Sequence, residues 1–290
     1  MRIGTRASAL ALAQARWVAD RLATDAELVP ITTSGDHGST GRDDKSRWVS
    51  ELEQALLENE IDLAVHSAKD VPGELPEGLE LVAFTARADP RDVICGAASL
   101  TALASGARVG TSSLRRAAQL RAVRDDLEVV SVRGNVETRL RKLAAGECDA
   151  LVLALAGLQR LERAGDAGGV LDELVPAAGQ GALALEARPG RLAPQELAGV
   201  IDPDATMCVT VERELVHALG ASCETPVGAY ARAAGDGRIE LRGWVGLPDG
   251  SAWVSDRLLG TPNGLGRAMA GRMATAGAAE LLQQAVRSAG

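Results

Sequence analysis

The chain has 290 residues and a mass of 30.0 kDa, enough for two or three domains, each able to bury a core. Aromatic residues make up only 2%, and the net charge is −8 with a pI near 5.1. That excludes a nucleic-acid binder built on aromatic stacking and a general polyanion binder.

The opening Arg2–Thr5 reads as a short strand, with Ser8 as N-cap of a helix that carries Leu10, Gln14, Trp17, Val18 and Leu22 at helical spacing. Leu28–Thr33 reads as a strand, followed by a polar loop, Ser34–Lys45. Ser50-Glu51-Leu52-Glu53 predicts a capping box opening a helix that runs to about Asn59. Asp62–His66 reads as a buried strand ending in Ser67-Ala68-Lys69-Asp70-Val71-Pro72. The pattern then repeats. Arg108-Val109-Gly110 ends a strand before Thr111-Ser112-Ser113 and a helix over 114–124; Glu128–Val132 is a strand before Arg133-Gly134 and a helix capped by Asn135. Asp149–Leu155 is an apolar strand with a helix over 158–164, and Ala182–Ala187 is a strand that can return to the first sheet. Strand–loop–helix units of this length predict parallel α/β sheets with sites at the strand carboxyl ends. From about Pro203 the texture changes to a helix, a strand-rich run over 227–254 and one Ala-rich helix from about Gly266 to Arg287.

The four cysteines, Cys95, Cys148, Cys208 and Cys223, contain no C-x-x-C pair, and with three His no zinc spacing can be assembled. No metal is expected. The N-terminus lacks a signal-peptide pattern, and no apolar run approaches the roughly 20 residues that span a bilayer. The expected compartment is the cytoplasm, with no membrane partner.

Arginine dominates the cations: 28 Arg stand against Lys45, Lys69 and Lys142. Residues 108–163 hold ten Arg and Lys142 against seven acids, a local +4 inside an acidic chain. Arg115 and Arg116 follow a helix start, Arg133 follows a strand, and Arg139 lies in the next helix. Guanidiniums near strand carboxyl ends are placed to grip carboxylates, and no phosphate-loop pattern is present. Arg121, Arg124, Arg141 and Arg163 read as solvated helix residues paired with nearby acids. Asp70 can act as general acid and base with Lys69 as anion partner, or simply form a turn. Cys223, in a loop of small polar residues before Pro226, is the cysteine best placed for chemistry. Cys95, Cys148 and Cys208 read as core fillers.

Seven motifs occur in one order along the chain. They are Thr5-Arg6-Ala7-Ser8, the run from Ala64 to Pro72, Gly110-Thr111-Ser112-Ser113-Leu114-Arg115-Arg116, Arg133-Gly134-Asn135-Val136, Ala156-Gly157-Leu158, Gly179-Gln180-Gly181-Ala182, and the Cys223 loop. This ordered set resembles the hydroxymethylbilane synthase (porphobilinogen deaminase) family. The resemblance implies two α/β domains like those of type II periplasmic binding proteins flanking a cleft, plus a smaller C-terminal α+β domain. The expected boundaries are 1–88 with 182–201, 89–181, and 202–290. It implies a transferase that condenses four porphobilinogen molecules head to tail, with loss of ammonia, into the linear tetrapyrrole hydroxymethylbilane. It also implies one covalent dipyrromethane cofactor per chain, on a thioether to Cys223, and a monomer.

By the same resemblance Asp70 is the catalytic carboxylate. Arg6, Ser8, Lys69, Thr111, Ser112, Ser113, Arg115, Arg116, Arg133, Gly134, Arg139, Arg160 and Gln180 bind cofactor or substrate. The loop from Ser34 to Trp48 departs from the family pattern: Ser34 stands where an Arg is usual, and the loop is shorter. Lys45 takes the place of a cofactor-binding lysine; Trp48 either meets the pyrrole rings or staples the helix entry. Ser222 replaces a usual Gly before the cofactor cysteine. The competing reading is a non-catalytic cytosolic protein that holds a small polycarboxylate.

Overall fold

The structure, a computed structural model, describes residues 1–32, 49–221 and 225–289. They divide into two compact units, 1–88 with 179–207 and 89–178 with 208–290.

The first unit is built on a five-stranded sheet. Its strands are β1 (Arg2–Arg6), β2 (Glu27–Ile31), β3 (Leu63–Ser67), β4 (Glu80–Phe84) and β10 (Leu183–Ala187), in the order β2-β1-β3-β10-β4. The second holds β5 (Asp92–Cys95), β6 (Arg108–Gly110), β7 (Glu128–Val130), β8 (Ala150–Ala154) and β9 (Gly169–Leu171), in the order β7-β6-β8-β5-β9. Both sheets share one plan: three parallel strands, then one antiparallel strand, then an edge. In the first, β10 runs antiparallel to β3 and β4; in the second, β5 runs antiparallel to β8 and β9. The sheets are therefore mixed, where the sequence predicts parallel ones. The expected return of the strand over 182–187 to the first sheet is what the pairing shows, Ala184 opposite His66.

Helices cover these sheets. In the first unit α1 (Ala9–Ala19) begins at Ser8, whose hydroxyl accepts from the Ala11 amide, and buries Ala11, Gln14, Ala15 and Val18. It packs on β1 and β3 around Ile3, Leu63, Val65 and Leu185. The second helix, α2 (Ser50–Leu57), buries Leu52 and Leu56 against Ile61 and Ala64. The predicted capping box does not form. Val49 is the N-cap and makes no side-chain cap bond, while the Ser50 hydroxyl bonds Glu51 instead.

In the second unit α3 (Leu114–Val123), α4 (Val136–Ala144) and α5 (Leu155–Arg160) each follow a strand. The helix predicted over 158–164 begins three residues earlier, directly after β8. The short α6 (Pro194–Leu197) precedes α7 (Pro203–Ala218). The remaining part is an antiparallel meander, β11 (Val227–Gly235), β12 (Arg238–Gly246) and β13 (Trp253–Gly260). Buried Glu212 on α7 anchors it by accepting from the Ala231 amide at 2.6 Å. The single Ala-rich helix predicted at the end is two, α8 (Leu265–Thr275) and α9 (Ala278–Ala289). Gly277 between them has φ +100°, a conformation that ends a right-handed helix and suits glycine.

Candidate active site

In the first unit the neighbouring parallel strands β1 and β3 end at Arg6 and Ser67, with Ser8 following the first and Lys69 and Asp70 following the second. Ser67 closes the strand, and Gln14 of α1 donates to its hydroxyl at 2.9 Å. Ala68–Asp70 then forms one 3-10 turn, and its amide start is tied back by Ala68 N–H donating to the Ala182 carbonyl. That turn sets Lys69 and Asp70, both half-buried, at the sheet edge. Lys69 Nζ donates to Oε1 of the buried Gln180 at 3.3 Å, which ties the Gly179-Gln180-Gly181 motif to this turn.

Beneath this edge lies a cluster that the sequence reading missed. His66 Nε2 is 2.9 Å from Glu186 Oε2, at ion-pair distance though out of hydrogen-bond alignment, with both side chains almost fully buried. Glu53 on α2 joins them: burial, and then the charge of Glu186, push its carboxyl above the usual range, while His66 pulls it back. The available signal was an acid at a core position, Glu186 within Leu183-Ala184-Leu185-Glu186-Ala187.

The second unit repeats the arrangement with different chemistry. Three parallel strands, β7-β6-β8, end side by side. After β6, the Thr111 hydroxyl accepts from Ser113 N–H at 3.2 Å, and the Ser113 hydroxyl caps α3 by accepting from the Arg116 amide. Ser112 and Ser113 are half-buried and Thr111 is buried. After β7 come Arg133, exposed, and Gly134, whose φ of +121° turns its carbonyl to accept from Arg139 Nε at 2.7 Å. A Cβ at Gly134 would stand 2.7 Å from Thr138 Cγ2 on α4, so both conformation and space require glycine. Asn135 caps α4 by accepting from the Thr138 amide at 2.8 Å. Gly134 therefore shapes the loop and orients Arg139 through its backbone. Arg160 ends α5, and burial pushes its guanidinium down to about 10.

Arg115 and Arg116, expected to bind cofactor or substrate, meet a carboxylate of the chain itself, Asp92. Arg115 Nη2 donates to Asp92 Oδ2 at 2.8 Å; Arg116 donates to Oδ1 from Nε at 3.0 Å and from Nη2 at 2.8 Å. Their remaining donors reach carbonyls: Arg115 Nη1 to Val175 at 2.7 Å and Arg116 Nη1 to Val152 at 3.2 Å. Both arginines are 5% exposed and Asp92 is 0% exposed. The physical reason is helical phase. Residues 115 and 116 follow the cap by two and three positions and face the sheet, where an acid on β5 neutralises them. The two guanidiniums hold Asp92 well below the usual carboxylate range despite its burial.

The other arginines divide. Arg124 and Arg163 pair with Asp126 and Asp166, as expected of solvated residues. Arg121 instead donates to the Pro248 carbonyl at 2.7 Å, and Arg141 to the Thr138 hydroxyl at 3.2 Å. Cys95, Cys148 and Cys208 are buried, the first two with thiols pushed up by that burial. Lys45, Trp48, Ser34, Ser222 and Cys223 lie outside the described residues.

Strand ends that carry arginines, hydroxyls, a lysine and one carboxylate define an α/β enzyme that handles anionic, carboxylate-bearing molecules. Comparison with known proteins says which. A family model described as "Porphobilinogen deaminase, dipyromethane cofactor binding domain" matches residues 1–195, and one described as "Porphobilinogen deaminase, C-terminal domain" matches 206–274. The chain is 45% identical over 305 residues to the porphobilinogen deaminase of Deinococcus deserti, covering 98% of each. It is 46% identical over 268 residues to that of Thermus thermophilus, covering 89% of each. Among solved structures it is similar to the VFT2 domain of Bordetella pertussis BvgS, with a TM-score of 0.40 and 18% identity over 69% of this chain and 84% of that one. The chain belongs to the porphobilinogen deaminase family.

Proposed function

We propose that this chain joins four porphobilinogen molecules head to tail, releases ammonia at each joining, and then hydrolyses off the linear tetrapyrrole hydroxymethylbilane. The observation that carries this reading is Asp70, a carboxylate on a 3-10 turn at the carboxyl end of β3, next to Lys69 bound to Gln180. It stands in a chain that the family models match over residues 1–195 and 206–274.

Each pyrrole brings an acetate and a propionate, so the growing chain multiplies carboxylates that must leave water. Desolvated anions are costly unless cations and hydroxyls receive them. The donor set fits that demand. In one unit Arg6, Ser8 and Lys69 serve as carboxylate donors; in the other Thr111, Ser112, Ser113, Arg133, Arg139 and Arg160 do. A guanidinium lowered by burial, as in Arg160, gains most from an anionic partner. The dipyrromethane, on a thioether to Cys223, supplies the free pyrrole α-carbon on which the chain grows. Gln180 holds Lys69, and Lys45 and Trp48 belong to the same proposal as cofactor contacts.

Asp70 then has three tasks. It gives a proton to the amine leaving porphobilinogen. Its carboxylate faces the positive charge that develops on the pyrrole nitrogen. Finally it takes the α-proton released when the new carbon–carbon bond is formed, which returns it to its starting state. The division into parts 1–88 with 182–201, 89–181 and 202–290, a cytoplasmic location and a monomeric state complete the reading. Among the described residues no helix is long and apolar enough to cross a membrane.

Asp70→Asn tests the assignment. The variant keeps its fold and its covalent mass and loses about 10²–10⁴ in turnover, the usual weight of general acid–base catalysis. Turnover close to wild type would remove Asp70 from the mechanism.

A further inference from the structure

A pocket of about 500 Å³ lies within the second unit and uses none of the residues placed in the active site. One wall is a face of the C-terminal meander; the other is formed by the chain just before β5 and just after β9. On the meander, Tyr230, Arg242 and Arg257 stand in register across β11, β12 and β13. Arg232 lies two residues along from Tyr230, and Glu240 two residues along from Arg242, on the same face.

The charges on this face do not balance. Glu240 accepts from Arg232 Nε at 3.1 Å and also from Arg257, and both hold its carboxyl below the usual range. Across the pocket Arg91 takes the two remaining carboxylates, Asp89 at 2.6 Å and Asp172 at 3.2 Å. Half-buried Arg242 has no carboxylate within ion-pair distance among the described residues, and its cross-strand neighbour Arg257 is another guanidinium. Like charges directly opposite on a sheet repel, and a bound anion relieves that repulsion. The other walls are apolar: Pro90, Leu174, Pro176 and the Tyr230 ring. The volume falls in the range of small-molecule sites. Inorganic phosphate would satisfy Arg242 and leave the apolar walls uncovered.

We propose that this pocket is a second ligand site, which takes a small ring-bearing carboxylate with its anionic group on Arg242 and its ring between the prolines, Leu174 and Tyr230. Guanidinium and carboxylate match in a planar, two-point contact, and the ring supplies the apolar burial.

Tyr230 is the chain's only tyrosine, so 3-fluorotyrosine labelling of the full-length protein places one fluorine resonance at the pocket wall. Phthalate is titrated at fixed ionic strength, with phthalamide and inorganic phosphate as controls. The resonance is expected to shift saturably with phthalate, and Arg242→Gln to weaken that response at least about tenfold. Phthalamide should leave it in place, and phosphate should act at least about tenfold more weakly. Turnover of Arg242→Gln should match wild type, which confirms that the variant is folded. The proposal is overturned if phthalate leaves the fluorine unmoved, if Arg242→Gln titrates like wild type, or if phosphate or phthalamide binds as well as phthalate. Because the readout is the fluorine at Tyr230, phthalate bound at the catalytic donors does not register as success.

Discussion

Asp92→Asn separates two meanings of the paired arginines. The substitution keeps the volume of the side chain and removes its charge. If the amide oxygen stays on Arg116, which bonds Oδ1 twice, the NH₂ group replaces Oδ2 and meets Arg115 Nη2 donor to donor across 2.8 Å. Arg115 Nε already lacks a hydrogen-bond partner, so this guanidinium would keep only the Val175 carbonyl. Two guanidiniums, each 5% exposed, would then share no anion. Removing one partner of such a buried group costs about 3–5 kcal/mol. For a unit of this size that lowers the melting temperature by about 6–20 °C, at about 2–4 °C per kcal/mol.

Calorimetric unfolding of both proteins from about pH 2.5 to pH 8, a range that spans the unfolded carboxylate value, measures it. The sign with pH follows from the depressed Asp92 carboxyl. Its contribution is fully present above the unfolded value, about 3.9, and is lost only as pH falls toward the lower folded value. The gap between wild type and variant should therefore stay constant from pH 8 to pH 5 and narrow only below about pH 4. A variant melting within about 2 °C of wild type at pH 7, well inside the shift expected for breaking a buried pair, would refute the reasoning. Arg115 and Arg116 would then be available to a ligand after all.

Three further outcomes follow from the site. Gly134→Ala forces a Cβ into Thr138 at a backbone angle that L-residues avoid, and should cost about 1–3 kcal/mol in a denaturant titration. It should also lower kcat/KM, because the Gly134 carbonyl aims Arg139. Unchanged stability and kinetics would mean that the loop adapts. Glu53 has a carboxyl raised by burial and by Glu186, so the folded state favours its protonated form and loses stability as pH rises above the unfolded value. Glu53→Gln removes that loss. Its melting temperature relative to wild type should climb as pH rises above the unfolded carboxylate value, and a difference independent of pH would contradict the assignment. Arg139→Leu should reduce turnover by at least about tenfold, the loss of about 1.4 kcal/mol of charge-assisted binding. Full activity would exclude Arg139 from carboxylate binding.

Legibility differed by element for identifiable reasons. Strands buried on both faces and helices with a clear cap could be read directly: Ser8 and Asn135 each cap the helix expected of them. The short strands β4, β5 and β9 were missed, because segments of three to five residues are too short to show a periodicity that separates strand from loop or helix. The capping box at Ser50 failed because the N-cap is Val49 and Ser50 is already the first helical residue, one position later than the motif implies. A single glycine, Gly277, broke the last helix, although the apolar spacing runs through it.

At the site, the pattern of strand end, hydroxyl and cation was legible in the motif order. The distinction between a ligand-facing arginine and a buried one was not. That distinction depends on whether an acid from a distant strand faces the helix, and Asp92 lies 23 residues before Arg115. The same blindness hid the Glu53–His66–Glu186 cluster, whose members come from α2, β3 and β10.

The covalent state of Cys223 tests the central claim most directly. Protein made in cells that form porphobilinogen is weighed intact, beside Cys223→Ser made the same way. Wild type should exceed its polypeptide mass by two porphobilinogen units less two ammonias, with addition of substrate producing further steps of one unit less one ammonia. Cys223→Ser should show the polypeptide mass alone and no turnover. A wild-type protein that carries no added mass, or a Cys223→Ser variant that keeps it, would contradict the account.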